Sequence, residues 1–302
     1  MLPKPAAAKA AVRPRGEPQS PRSVRGRGDC QPIASPPMNA CPPMNPRPIA
    51  IITGLPEEAD AFAPGLGEAV AGHPFAVRCV DWHGQTVLLA CAGIGKVAAA
   101  TAATWLAGRF DPALLMVIGT AGALQSADGQ AGDGQAGGGQ AGDGQAGGGR
   151  AEDSAPRWLS AAVQHDYGAA RADGFARYRA GDWPIGPQAD PAFTAIVQPL
   201  ALGLAETVIA SGDCFVECPD RAALIAAQLG ATLVDMETAA VAQVAGLLGL
   251  PWCAIKAATD EANVDSAADF RANLSATARR AAEAAERAIT LMRGASLAVA
   301  SG

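Results

Sequence analysis

Five short apolar runs in this chain each lead into residues able to do chemistry. Residues 48–53 precede Glu57 and Glu58, 113–118 precede Thr120, and 206–210 precede Phe215. Residues 232–234 precede Met236 and Glu237, and 251–257 precede Thr259 and Asp260. An ionised Glu presents two acceptor oxygens, a match for the two hydroxyls of a vicinal diol. A thioether beside it offers a soft apolar floor. Diol above and thioether below describe a ribose. With two further carboxylates, the set suits cleavage of an N-glycosidic bond. That reaction needs an acid for the leaving base, a stabiliser for an oxocarbenium-like sugar and a base for water, the logic of paired carboxylates in glycoside hydrolysis. Phe215 reads as a stacking surface for a base or as core. Taken singly, Glu237 and the Glu57–Glu58 pair read equally as partners of helix N-terminal dipoles.

The elements that must gather these residues alternate along the chain. Strands are expected at 48–53, 75–80, 86–91, 113–118, 157–163, 206–210, 232–234 and 251–257. Helices are expected after Pro56, from 96 to about 109, at 190–201, at 220–230, from Thr238 to Gly249 and from Asp265 or Ser266 to about Arg293. This alternation predicts an α/β fold, a mixed, mainly parallel central sheet flanked by helices with right-handed crossovers. The run 113–118 is apolar on both faces, which suits a central parallel strand. In such sheets ligands bind outside the carboxyl ends of strands, where the chemistry-bearing residues fall. Residues 119–123, Gly-Thr-Ala-Gly-Ala, read as a small-residue turn at one of these ends. The glycines of Ala92-Gly-Ile-Gly-Lys96 fit neither phosphate-loop spacing. They read as places where backbone approaches a ligand or neighbour closely. Residues 165–186 read as a long irregular loop of functional interest, with His165 beside Asp166 either structural or catalytic.

Composition sets the surroundings. Residues 1–50 of the 302 carry eight Lys/Arg against two Asp/Glu, and the remainder fifteen against twenty-seven. An acidic body argues against nucleic acid as a partner. Residues 1–47 are rich in Pro and Arg and poor in large apolar side chains, and are expected to be disordered. Residues 126–154 are low complexity, with QAGDGQAGGG at Gln130–Gly139 repeated at Gln140–Gly149. They read as an insertion in a domain spanning 48–293, with 294–302 as a tail. The seven Cys form no metal-binding spacing, so reduced thiols in a cytosolic protein are expected, with no metal or other cofactor. No apolar run reaches the roughly 18 residues of a transmembrane helix, so no membrane partner is expected.

Several segments together resemble the nucleoside phosphorylase superfamily, most closely its 5′-methylthioadenosine/S-adenosylhomocysteine nucleosidase branch. They are IITGLPEEADAF at 51–62, AGIGKVAAA at 92–100, VIGTAGAL at 117–124, ASGDCFV at 210–216, VDMETAAVA at 234–242 and KAATDEAN at 256–263, in the family's order. The resemblance implies that Asp260 protonates the purine N7 and Glu58 activates the attacking water. It implies that Glu237 holds the ribose hydroxyls with Met236 beneath the sugar. Phe215 would stack on the purine, the Val216 backbone would bond its edge, Thr120 would line the water side, and Thr259 would join the substrate site. For that role Asp260 must keep a proton near neutral pH, although free Asp titrates near ~3.9. Burial raises a carboxyl pKa, and about three units correspond to roughly 4 kcal/mol. The resemblance also implies a homodimer whose partner shapes the 5′ end of the pocket.

The superfamily's phosphorylases carry a Gly-Asp-Pro-x-Arg segment after the first strand and an Arg three residues before the position of Thr120. This chain has Gly54-Leu-Pro-Glu-Glu58 and Val117 in those places. Water is therefore expected as nucleophile rather than a phosphate dianion, which is normally held by Arg. Lys256 stands where close nucleosidases often carry an Arg that steadies the water-side Glu.

Overall fold

The apolar runs become the strands of one twisted sheet in the computed structural model. The described residues are 47–70, 75–124, 154–172, 174–181 and 192–300, with side chains described to 293. The expectations for 1–46 and 125–153 lie outside them. In chain order the elements are β1 (Ile49–Thr53), α1 (Pro56–Ala61), β2 (Glu68–Ala69), β3 (Ala76–Trp82), β4 (Gln85–Cys91), α2 (Lys96–Phe110) and β5 (Leu114–Ala123). There follow β6 (Arg157–Gln164), β7 (Gly168–Arg171), β8 (Gly174–Arg177), β9 (Phe193–Thr194), β10 (Ala205–Ser211), α3 (Pro219–Leu229), β11 (Ala231–Asp235), α4 (Thr238–Leu248), β12 (Trp252–Asp260) and α5 (Ser266–Ala300).

The sheet order is β11-β10-β6-β12-β5-β1-β4-β3-β2, with β9 paired to β6. β4, β1, β5 and β12 run parallel, as do β6, β10 and β11. A short antiparallel contact between β6 and β12 joins the two blocks. The fold is thus the expected mixed α/β sheet flanked by helices. Side chains alternate between its two faces. Ala50, Ile52, Leu115 and Val117 meet α2 and α4, while Ile49, Ile51, Met116 and Ile118 meet α1 and α5. The inward stripe of α2 is Ala99, Ala102, Ala103 and Leu106, an i, i+3, i+4, i+7 spacing. On α5, Ala282, Ala285, Ala288 and Ile289 play that part. Their small side chains let a long helix lie close to the sheet. No described helix is long and apolar enough to cross a membrane.

Four expectations change. Residues 119–123 do not turn: they continue β5, pairing with β12 and then antiparallel with β11 through Gly122↔Val234 and Ala123↔Leu233. Gly122 and Ala123, with at most one side-chain carbon, sit where β11 pairs, and this pairing closes β5, β11, β10, β6 and β12 into a barrel-like ring. In the same way β12 runs on to Asp260 instead of ending at Ala257.

Second, the expected loop from His165 contains the β7–β8 hairpin, closed by the Tyr178 N–H donating to Tyr167 O at 3.1 Å. Third, the described part of 190–201 holds no helix. Thr194, Ile196 and Val197 are β-branched and Pro199 interrupts a helical ladder. The backbone instead joins strands, Ala195 N–H donating to Ser160 O and Ile196 N–H to Trp252 O, both at 2.9 Å. Fourth, α5 continues past Arg293 to Ala300.

Candidate active site

The carboxyl ends of β1, β5, β11 and β12 surround a cavity of about 520 Å³, within the range of small-molecule sites. Its first wall begins with α1. The two acids at this helix start part company: Glu57 is exposed and Glu58 is buried. Glu58 folds back over its own helix N-terminus, where Gly54 N–H and Leu55 N–H donate to Oε2 at 2.9 and 3.1 Å. Thr120 on β5 donates twice to Oε1, from its backbone N–H at 2.7 Å and its hydroxyl at 2.8 Å. The preceding residue must be glycine. Gly119 has φ 146°, and a Cβ there would meet Glu58 Oε1 at 2.4 Å and Cδ at 2.5 Å.

Glu237 joins this wall from the β11–α4 junction. Gly95 N–H donates to its Oε1 at 2.9 Å and Met236 N–H to its Oε2 at 3.3 Å. Burial pushes its carboxyl up to about 7, against the pull of Lys256. Lys256 is itself buried, with Nζ 3.1 Å from Asp235 and 3.9 Å from Glu237. Burial opposes its charge, but Asp235, Glu58 and Glu237 outweigh burial and hold its pKa above the ordinary value. Lys256, where close nucleosidases often carry an Arg that steadies the water-side Glu, makes its shorter ion pair to Asp235. That carboxylate also accepts from the hydroxyls of Ser211 and Thr238 and from Thr238 N–H at 3.1 Å, which fixes the start of α4.

Asp260 closes the opposite wall. Thr259 Oγ1 lies 2.8 Å from its Oδ2, and Ala262 N–H donates to its Oδ1 at 3.0 Å. Burial raises its pKa, opposed by these hydrogen bonds and one from Ser266. Phe215, 42% exposed, lines the cavity from the loop between β10 and α3 and meets Phe270 of α5 edge to face at 5.9 Å.

Seven of the eight residues picked out by sequence line this one cavity: Glu58, Thr120, Phe215, Met236, Glu237, Thr259 and Asp260. Val216 lines a small adjoining recess of about 20 Å³ together with Phe215, Met236 and Asp260. His165 does not line the cavity; it is buried, burial lowers its pKa, and neither ring nitrogen has a hydrogen-bond partner among the described residues. Sequence reasoning missed Phe270 and Arg271, which α5 brings to the cavity, and Ile94 and Glu217 at its edge. Among the described residues no three His, Cys, Asp or Glu are placed to hold a metal ion.

This fold, with carboxylates at its strand ends, is that of the phosphorylase superfamily, and the chain belongs to it: the family model matches residues 48–133 and 147–291. Among relatives, a 5′-methylthioadenosine/S-adenosylhomocysteine nucleosidase of Bacillus licheniformis is 30% identical over 236 residues, covering 74% of this chain and 89% of that protein. One of Mycobacterium tuberculosis is 27% identical over 251 residues, with the same coverage. Among solved structures, the nucleosidase of S. pneumoniae with the transition-state inhibitor MT-ImmA is similar with TM-score 0.62 and 25% identity, covering 79% of this chain and 96% of that one. The native futalosine hydrolase of Helicobacter pylori shares the fold with TM-score 0.62 and 22% identity, covering 82% and 99%.

Proposed function

We propose that this chain hydrolyses the N-glycosidic bond of 5′-modified adenine nucleosides, methylthioadenosine and S-adenosylhomocysteine, releasing adenine and the free ribosyl product. The observation that carries this reading is a buried carboxyl of raised pKa, Asp260, sharing one cavity with the hydrogen-bonded carboxylates Glu58 and Glu237. Asp260 donates its proton to the purine N7. The C1′–N9 bond breaks with its electron pair moving into the base, and positive charge spreads over C1′ and the ring oxygen. A water oxygen bonds to C1′, and Glu58 takes the water's proton. The Thr120 hydroxyl is the one rotatable donor among the four on Glu58, so it is the group that yields to the incoming water. Glu237 holds the ribose hydroxyls over Met236, Phe215 stacks on the base, and the Val216 backbone binds the base edge.

The Thr259 hydroxyl lies 3.2 Å from Ala121 O and 2.8 Å from Asp260 Oδ2. Donated to Asp260, it opposes the rise in pKa that burial drives, so burial is what favours the proton there. Nucleophilic water is supported by Glu58, whose carboxylate stands on the nucleophile side and would repel phosphate. The proposal extends to a cytosolic homodimer acting in methionine salvage. Exposed Ile94, which lines the cavity, and exposed Val97 in the first turn of α2 supply apolar surface for a second subunit, which light scattering would detect.

The deciding experiment is adenine release from methylthioadenosine by purified protein with and without phosphate. Equal rates are expected. Release only with phosphate would make the chain a phosphorylase, and binding without release would make it a nucleoside-binding protein.

A further inference from the structure

Lys96 begins α2, one residue after the Gly95 amide that donates to Glu237, and it does not line the cavity. Its backbone N–H donates to Asp213 Oδ1 at 2.8 Å. Its ammonium lies 2.7 Å from Asp166 Oδ1, 3.2 Å from Gln164 Oε1 and 3.9 Å from Asp213 Oδ2. Asp166 Oδ2 in turn accepts the Asp213 N–H at 2.9 Å. Gln164 passes the contact to α4, its Nε2 donating to Gln243 Oε1 at 2.8 Å. Lys96 therefore closes a ring across the ends of β4, β6 and β10. The fit is tight: a Cβ on Gly95 would lie 3.2 Å from Asp213 Oδ1. Burial works against an ionised Asp166, yet Lys96 and the Asp213 N–H hold its pKa below the ordinary value.

Two arms leave this ring. One is the Gly95 amide, adjacent in sequence and 2.9 Å from Glu237. The other is the β10–α3 loop, in which Phe215 follows Asp213 by two residues. We propose that Lys96 is a positioning residue that, through Asp166 and Asp213, fixes the separation of the sugar-binding carboxylate Glu237 and the base-binding loop, so that ribose and base are recognised as one unit. This inference rests on the roles proposed above for Glu237 and Phe215.

The test compares the full chain with Lys96→Met, Asp166→Asn, Glu237→Gln and the Lys96→Met/Glu237→Gln double variant. Turnover of methylthioadenosine is measured, with adenine affinity by calorimetry and thermal midpoints as folding controls. Lys96→Met is expected to lower kcat/KM about 30-fold on the native background, a coupling ordinary for residues of one network. On the Glu237→Gln background the same change is expected to cost roughly threefold or less, because the group it positions is already gone. A uniform structural defect would not move that difference. Adenine affinity is expected to fall about tenfold through the second arm, with Asp166→Asn moving in the same direction and standing in if Lys96→Met does not fold. Equal losses on both backgrounds, or unchanged kcat/KM and adenine affinity, would overturn the role of Lys96. A native protein that cleaves no nucleoside would instead break the functional reading, and adenine affinity would still decide for or against Lys96. A native protein that binds no adenine overturns both.

Discussion

The two walls of the cavity hold the same kind of side chain and surround it differently. On the Glu58–Glu237 wall, four donors point at Glu58, two N–H groups point at Glu237, and a buried ammonium stands 3.9 Å away. On the Asp260 wall, burial is the largest influence, and the nearby carboxylate of Asp269 pushes the same way. One setting suits a carboxylate that receives, and the other a carboxyl that keeps a proton to give. Environment, not residue type, divides acid from base. Glu237 stands between these extremes, wrapped in donors yet raised to about 7 by burial.

The contrast can be broken from either side. The largest effect is expected at the acid. Asp260→Asn cannot donate, so kcat should fall about 10³-fold, the scale of general acid catalysis, while nucleoside affinity measured by calorimetry changes little. Unchanged turnover would remove Asp260 as the acid. Glu58→Gln comes next, with an expected loss of roughly 10²-fold in kcat. Its amide nitrogen would face donors from Thr120 or the Gly54 turn, so single-turnover rates should show the chemical step slowed.

Glu237→Gln sharpens the comparison through pH. Ionised Glu237 accepts the ribose hydroxyls, so kcat/KM should carry an acidic limb where Glu237 ionises at about 7, and an alkaline limb where Asp260, its pKa raised by burial, gives up its proton. The variant should lose the acidic limb of that profile and keep the alkaline one. Stability should move the other way. The folded pKa of Glu237 lies above its ordinary 4.5, so its contribution is fully present below about 4.5 and lost as pH rises through about 7. Glu237→Gln should therefore gain thermal stability at pH 8, by up to roughly 3 kcal/mol, and little at pH 4. A lower melting point at pH 8 would contradict the burial argument. The smallest effect is expected at Phe215→Ala, about 1 kcal/mol or a fivefold rise in KM, because the ring is partly solvated and stacking is modest.

What was legible in the sequence was local. A β-branched run ending in Asp-Met-Glu locates both a strand end and the residues at that end, and the same holds for Glu58; Thr120 and Asp260 were picked out as site residues although their strands run on past the expected ends. What was not legible depends on distant partners. Nothing near Gly119–Ala123 announces that β11 will pair with it. Lys256 alternates along β12, but only the packed structure turns its ammonium to Asp235. Phe270 and Arg271 reach the cavity through the docking angle of α5, which their helical spacing does not encode. The absence of a helix in the described part of 190–201 has a local cause, since Pro199 and three β-branched residues favour extended chain.

The contact between Gly119 and the Glu58 carboxylate also bears on how relatives of this chain can diverge. A single methyl group at that position would push the carboxylate off its four hydrogen bonds, and at φ 146° it would also strain β5 there. A descendant could then keep its sheet, its cavity and its overall likeness to the superfamily while losing the step that activates water. Among duplicated copies in a genome, a side chain at this one position would mark those that had drifted from enzyme to receptor.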